Sequence, residues 1–169
     1  MEDLSQGKFF NPTKGYITFE QVISEIFSYI QERSKNDYEI IVGCDSSSEE
    51  EPFFPIAIVI LRKGAGGRFF LKRVKYRKRK FYNLHQRISE EVLLSCRLAL
   101  ILRDRLAAGM SQINRSVPYQ FRYIHADVGE NGATRDMIKE VIGLIKGNGF
   151  EAKIKPQAFV ASIVADRFS

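Results

Sequence analysis

Residues 38–47 have the sequence YEIIVGCDSS, and this stretch decides the predicted fold. Its apolar, β-branched centre and its serine-rich end are typical of a strand that is covered on both faces of a sheet. Asp45 lies where this strand ends. An ionised carboxylate in such a place is unfavourable unless it is paired, so we expect a partner for Asp45, and a metal ion is one that fits. The alternative is that Asp45 only begins the turn, with its side chain bonded to nearby backbone.

A second apolar strand ends in the same type of residue. Residues 121–127 read FRYIHAD, so Asp127 closes this strand as Asp45 closes the first. Two strand-terminal acids form one site only if their strands are neighbours in the sheet. The order of the elements therefore decides between two separate turn residues and a shared site.

The rest of the chain predicts alternating helices and strands. Thr18 and Gln21 form a candidate capping box before a helix with apolar residues at helical spacing. Asn131 and Thr134 are candidate caps of a later helix. In chain order the predicted elements are a helix over 18–34, strands over 39–45, 53–61 and 68–76, a helix over 84–108, the strand that ends at Asp127, a helix over 133–146, a strand over 150–154 and a helix over 158–168.

This order predicts an α/β domain with a mixed sheet. It is the order of the ribonuclease H-like fold, with a five-stranded sheet (three antiparallel strands, then two parallel ones) flanked by helices and an extra N-terminal helix. We expect a single domain over 1–169, in which residues 1–36 are an N-terminal extension with its helix. In that fold the first strand lies beside the fourth, so Asp45 and Asp127 become neighbours.

Two further acids are candidate ligands. Glu91 lies on the apolar face of the long helix, and Glu90 is turned toward its flank, so Glu91 is preferred and Glu90 is the alternative. Asp166 shares a face of the last predicted helix with Ser162, and the competing interpretation is an ion pair with Arg167. Hard divalent cations such as Mg²⁺ need several converging oxygen ligands. One acid on each of four elements therefore predicts a metal site.

Positive charge is concentrated in one segment. The net charge is +6, and residues 68–80, which we call the basic segment, hold eight basic residues and no acid, so the rest of the chain would carry −2. Interleaved aromatic residues suit a phosphate backbone and exposed bases. The alternative is a solvated strand whose lysines protect a sheet edge. The predicted nucleic-acid contacts are Lys72, Arg73, Lys75, Arg77, Lys78, Arg79 and Lys80.

The composition is that of an ordinary globular protein, with 169 residues of which 44% are hydrophobic. No apolar stretch approaches the roughly 20 residues that cross a bilayer, and the acidic start of the chain does not resemble a secretory signal. We therefore expect a cytoplasmic protein. Cys44 and Cys96 show no metal spacing and are expected to be free, buried thiols.

Three stretches of the chain resemble one family of bacterial proteins. They are residues 38–46 (YEIIVGCDS), residues 125–132 (HADVGENG), and residues 154–166, which begin IKP and end ASIVAD. These motifs are similar to those of the YkuK-type group, which is regarded as a ribonuclease H-like nuclease family of predicted activity. The resemblance covers nearly the whole chain. Cys44 and Ser47 depart from the Thr and Gln expected there, which removes no ligand but changes the surroundings of Ser47.

The resemblance implies a phosphodiesterase with two Mg²⁺ or Mn²⁺ ions. Asp45 would bridge both ions, Glu91 and Asp127 would hold one, and Asp166 would help to hold the other. His125 is an auxiliary candidate that would move a proton or bond a phosphate, and the alternative is a buried histidine with a satisfied partner. The auxiliary candidates besides His125 are Ser47, near the substrate, and Asn131.

Two function classes follow for this chain. The first is a metal-dependent nuclease that acts on RNA, an RNA–DNA hybrid or structured DNA. The second is a non-catalytic nucleic-acid-binding domain on the same fold. In both, the basic segment is the expected contact with nucleic acid.

Overall fold

A computed structural model describes residues 3–111 and 119–160 of the chain. Within those residues one mixed sheet has seven strands in the spatial order β2-β1-β5-β4-β3-β6-β7. The strands are β1 (Lys8–Asn11), β2 (Gly15–Thr18), β3 (Tyr38–Cys44), β4 (Phe53–Arg62), β5 (Gly67–Lys75), β6 (Tyr119–His125) and β7 (Glu151–Lys153). The helices are α1 (Phe19–Glu32), α2 (Leu84–Ser111) and α3 (Ile138–Gly147), with a 3-10 turn at Arg135–Met137 before α3.

The strand predicted from residues 38–47 is β3, which lies inside the sheet. It pairs antiparallel with β4 on one side and parallel with β6 on the other. Five of its seven residues from Ile40 onward are buried, as an apolar run covered on both faces requires. The predicted core of three antiparallel and two parallel strands is present, because β4 pairs antiparallel with β5 and β6 pairs parallel with β7.

The predicted strand number of five is wrong. The N-terminal extension contains a hairpin, β1–β2, in addition to its helix, and β1 joins the sheet beside β5 through the pair Phe10 and Leu71. Each hairpin strand has only four residues, which is too short for alternation to mark it in the sequence. Gly15 adopts a φ of 74°, a left-handed conformation that glycine accepts without strain.

Helix α1 begins as predicted, whereas α3 does not. The Thr18 side chain accepts from the Gln21 amide, and the Gln21 side chain accepts from the Thr18 amide, so the capping box is present. The predicted caps of the later helix are wrong. The Thr134 hydroxyl accepts from the amide of Gly129 instead, and α3 follows Met137 without a side-chain cap. The 3-10 turn at Arg135–Met137 occupies the residues where the helix was predicted to begin.

The two faces of the sheet are covered differently. The larger cluster joins alternate residues of β3, such as Ile40 and Val42, to the three helices. The opposite face carries Ile41, Val59 and Leu71, which pack with Val160 near the end of the described residues. Most of the predicted last helix, including Asp166, lies outside the described residues. No helix in the described part of the chain combines the length and apolar character that a bilayer span needs.

Candidate metal and nucleic-acid site

The two strand-terminal acids lie at the same edge of the sheet. Gly43 of β3 and His125 of β6 are register partners in a parallel pair, and Asp45 and Asp127 each follow by two residues. The Asp45 amide donates to the Pro55 carbonyl at 3.0 Å, so strand pairing continues past the end of β3. The carboxyl ends of adjacent parallel strands therefore present both acids together, as the element order predicts.

Glu91 supplies a third carboxylate from α2, which packs across β3, β4 and β6. It is buried, with 3% of its surface exposed. Its Oε1 accepts from the Ser46 hydroxyl at 2.6 Å, whereas its Oε2 is buried without a hydrogen-bond partner. Burial raises the pKa of Glu91 well above its ordinary value; the Ser46 bond lowers the pKa, and the charges of Asp45 and Asp127 raise it. Glu91 thus carries an uncompensated carboxylate oxygen in the field of the other two acids.

The three acids offer the type of donor atom that a divalent cation requires. The donors are all oxygens, and the unpartnered Glu91 Oε2 has the chemistry that a hard cation satisfies. In the described ranges, however, no group of three Asp, Glu, His or Cys side chains converges enough to hold a metal ion. Asp127 is paired instead, with its Oδ1 2.8 Å from the Lys155 ammonium. The donor atoms therefore suit a divalent ion. For Asp127 to bind that ion together with the other acids, its ion pair with Lys155 would have to break.

Glu90 has a different environment from its neighbour. The Tyr76 hydroxyl donates to Glu90 Oε1 at 2.6 Å, and Arg79 lies 3.2 Å from Oε2. Both carboxylate oxygens of Glu90 are therefore paired with residues of the basic segment. Burial and the bond to Glu90 raise the pKa of Tyr76. Of the two glutamates, Glu91 faces the strand-terminal acids, and Glu90 anchors the turn that follows β5.

The basic segment is divided between structural and exposed residues. Lys72 is 5% exposed, and its ammonium contacts the Gln6 carbonyl, so the structure does not place it on the proposed interface. Arg79 is tied to Glu90 and stacks on Phe81. Arg73 and Lys75 lie over the ring of Phe53, at 4.3 and 4.4 Å from its centroid. The exposed members are Arg68, Arg73, Lys75, Arg77, Lys78, Arg79 and Lys80.

Two neighbouring cavities connect Asp45 to the exposed cations. The first, about 230 Å³, is lined by Asp45, Ser46, Ser47 and Arg73, among others. The second, about 620 Å³, is lined by Arg73, Lys75, Tyr76, Arg77, Lys78 and Glu51. Arg73 belongs to both cavities. It is paired in register with Pro55, which also accepts the Asp45 amide bond, so Arg73 lies across β4 from Asp45.

The auxiliary candidates have identifiable structural surroundings. His125 is buried, its Nδ1 accepts from the amides of Phe159 and Val160, and burial followed by the charge of Lys153 lowers its pKa to about 4. Its Nε2 is buried without a hydrogen-bond partner, so only one nitrogen of the imidazole is satisfied. Ser47 closes the β3–β4 turn, because its hydroxyl accepts from the Phe53 amide at 3.1 Å and its own amide donates to the Phe53 carbonyl. Asn131 is exposed.

Sequence reasoning missed two residues of this region, because Lys155 pairs with Asp127 and Ser46 holds Glu91. It considered Glu90 only as an alternative ligand, whereas Glu90 anchors the basic segment. Ser46 directly follows Asp45 in the chain, and this adjacency was a usable signal. Lys155 gave no comparable signal, since it meets Asp127 only through the pairing of β6 with β7.

Comparisons with known proteins agree with the fold. A family model described as ribonuclease H-like matches residues 21–169. A protein of Bacillus subtilis (strain 168) described as uncharacterized protein YkuK is 28% identical over 167 residues, which cover 95% of this chain and 96% of that protein. No solved structure matches the chain significantly. Since the family model spans most of the chain, the protein belongs to the ribonuclease H-like family, in its YkuK-type group.

Proposed function

We propose that this protein is a nuclease that uses Mg²⁺ or Mn²⁺ to hydrolyse phosphodiester bonds of RNA, of an RNA–DNA hybrid or of structured DNA. The observation that carries the proposal is the buried Glu91 carboxylate, whose Oε2 has no hydrogen-bond partner. The charges of Asp45 and Asp127 also raise the pKa of Glu91. Perturbed, unpaired acids of this kind concentrate at functional sites, because they destabilise the fold that keeps them. Membership of the ribonuclease H-like family supports a role in nucleic-acid chemistry.

The proposed ligands are Asp45, Glu91 and Asp127, with Asp166 as the fourth. Two bound ions would activate the attacking water and stabilise the leaving oxygen. Ser46 fixes the orientation of Glu91 through its 2.6 Å hydrogen bond, and the β3–β6 register fixes the spacing of the two aspartates. The protein thereby prepares oxygen ligands on elements that packing holds rigid.

The basic segment is the proposed path of the nucleic-acid backbone. Phosphates that bind Arg77 and Lys78 would continue past Lys75 to Arg73, which lines the cavity containing Asp45. Such contacts carry no sequence information, and they weaken as salt rises because counterions are released. This supports binding by charge and shape rather than by reading of bases.

A second candidate function is a nucleic-acid-binding domain without catalysis. It is favoured by the Lys155–Asp127 ion pair and by the absence, in the described part of the chain, of three converged metal-binding side chains. In this case the acids would be structural, and the basic segment alone would carry the function.

Cleavage assays with Asp45→Asn separate the two candidates. End-labelled single-stranded RNA, an RNA–DNA hybrid and a branched DNA are incubated with the purified protein and Mg²⁺ or Mn²⁺, and binding is measured in parallel by fluorescence anisotropy. Asp136→Asn is the matched control, because Asp136 is exposed on the 3-10 turn.

The nuclease predicts metal-dependent cleavage by the wild type and by Asp136→Asn. It predicts a loss of at least about 100-fold in Asp45→Asn, with binding retained, since a ligand of the ions is removed. A wild type that binds these substrates and cleaves none of them would overturn the nuclease and favour the binding domain.

A further inference from the structure

Lys155 is held beside the acids by the backbone as well as by its charge. The Ala126 amide donates to the Lys153 carbonyl at 2.9 Å, and the Lys155 amide donates to the Val128 carbonyl at 2.8 Å. These bonds continue the parallel pairing of β6 and β7 beyond the last residues of the two strands. The start of the Lys155 side chain is therefore fixed alongside the loop that carries Asp127.

The side chain then crosses Gly129 to reach Asp127. A Cβ added at Gly129 would lie 3.0 Å from Lys155 Cβ and 3.5 Å from its Cδ. The absence of a side chain at position 129 thus leaves the space that the aliphatic part of Lys155 occupies. At its end the ammonium lies 2.8 Å from Asp127 Oδ1. One positive charge is therefore directed to one ligand of the proposed metal site by backbone pairing, by the space at Gly129 and by the ion pair.

Asp127, the partner of this charge, lies at the same edge of the sheet as Asp45. Asp45 and Asp127 both raise the pKa of Glu91, so the acids share one electrostatic field. An ammonium in that field stabilises the acids when no other cation is present, and it repels a divalent ion that approaches them. Lys155 is also half exposed, so its flexible stem can release Asp127 into solvent without unfolding the loop.

We propose that the Lys155 ammonium is a resident cation that a divalent metal ion must displace from Asp127, so that Lys155 sets the metal concentration at which the site fills. The inference rests on the proposed metal-dependent function. It assigns Lys155 a positioning and gating role for the metal, and it explains why Asp127 lies at the site yet does not close on the other acids.

Direct metal binding tests this role independently of any cleavage. Mn²⁺ is titrated into the wild type, Lys155→Met, Lys155→Arg and Lys153→Met, and free Mn²⁺ is counted by electron paramagnetic resonance. Methionine keeps the apolar stem over Gly129, and arginine keeps the charge. Lys153→Met is the matched control, because the Lys153 ammonium lies over the Tyr123 ring rather than on Asp127. Circular dichroism melts verify that each variant is folded.

The expected result is that Lys155→Met lowers the Mn²⁺ dissociation constant by about threefold to tenfold, the range for loss of a partly exposed competing charge. Lys155→Arg and Lys153→Met should stay within about twofold of the wild type, an energy below that of one exposed ion pair. Equal or weaker binding by Lys155→Met, with a wild type that binds Mn²⁺, overturns this inference alone. Failure of every variant to bind Mn²⁺ overturns both the inference and the metal-dependent function.

Discussion

The acid end of the sheet and the turn after β5 each contain a buried glutamate from α2, and the two glutamates are adjacent in sequence. Glu90 is fully paired, with Tyr76 on one oxygen and Arg79 on the other. Glu91 has Ser46 on one oxygen and no partner on the other. The first arrangement stabilises the fold and the second does not. Under the proposed function, a buried acid left open, rather than burial itself, marks the ligand-bearing face of α2.

Glu91→Gln is expected to give the largest effect, because it should lower the cleavage activity and raise the stability of the fold. Cleavage should fall by at least about 100-fold, because a proposed metal ligand loses its charge. In metal-free buffer near pH 7.5 the free energy of unfolding should rise by about 1–2 kcal/mol, since a poorly paired buried charge is removed.

The sign for Glu91 follows from linkage. Its folded pKa is raised, so the folded wild type loses stability as pH increases from the ordinary range of glutamate toward that raised value. Glu91→Gln should lack this loss. Glu130→Gln, which changes an exposed glutamate in the loop after β6, is the control for both measurements. A variant that is active, or one that is less stable than the wild type, would erase the distinction between the two glutamates.

Glu90→Ala, unlike Glu91→Gln, is expected to destabilise the protein. Its removal leaves the Tyr76 hydroxyl without its acceptor and the Arg79 guanidinium without its counter-charge. The free energy of unfolding should decrease by about 2–3 kcal/mol, as for a broken buried hydrogen-bond network. Urea unfolding followed by circular dichroism measures this change. Tyr76→Phe should have a smaller effect in the same direction, and additivity of the two substitutions would show that the bond contributes nothing.

Acidification is expected to destabilise the protein through His125. The folded pKa of about 4 lies below the ordinary value of 6.5, so the folded state binds the proton less well than the unfolded state. Stability is therefore lost as pH falls from 6.5 toward 4, by about 3 kcal/mol for a shift of this size. His125→Asn keeps an acceptor near Nδ1 and does not titrate, so its melting temperature should fall less over that interval. An identical pH dependence in both proteins would refute the assignment.

Arg77→Gln is expected to give the smallest effect, and to change only nucleic-acid binding by the basic segment. Arg77 is exposed and lines the wider cavity, so its loss should weaken RNA binding by a few-fold and reduce the slope of log affinity against log salt by about one. Fluorescence anisotropy at several salt concentrations measures both quantities. Lys139→Gln on α3 is the control for a change of net charge. Equal effects at the two positions would show that the basic segment is not a defined interface.

Much of the fold could be predicted because each core strand carries its own signal. The apolar run of β3 and the Gly-rich turn before β5 are readable without knowledge of the rest of the chain. The β1–β2 hairpin could not be read, because four-residue strands lack a period. The start of α3 was misplaced because the Thr134 hydroxyl bonds the Gly129 amide, a choice between two local partners that composition does not settle.

The sequence by itself determined the positions of Asp45, Glu91 and Asp127 on their elements, because strand ends and helical faces follow from local periodicity. Only the tertiary structure decided what each charged side chain meets. It gave Glu90 to Tyr76 and Arg79, buried Lys72 against Gln6, and brought Lys155 to Asp127. Those pairings depend on strand order and register, which join residues far apart in the chain, and no local pattern records them.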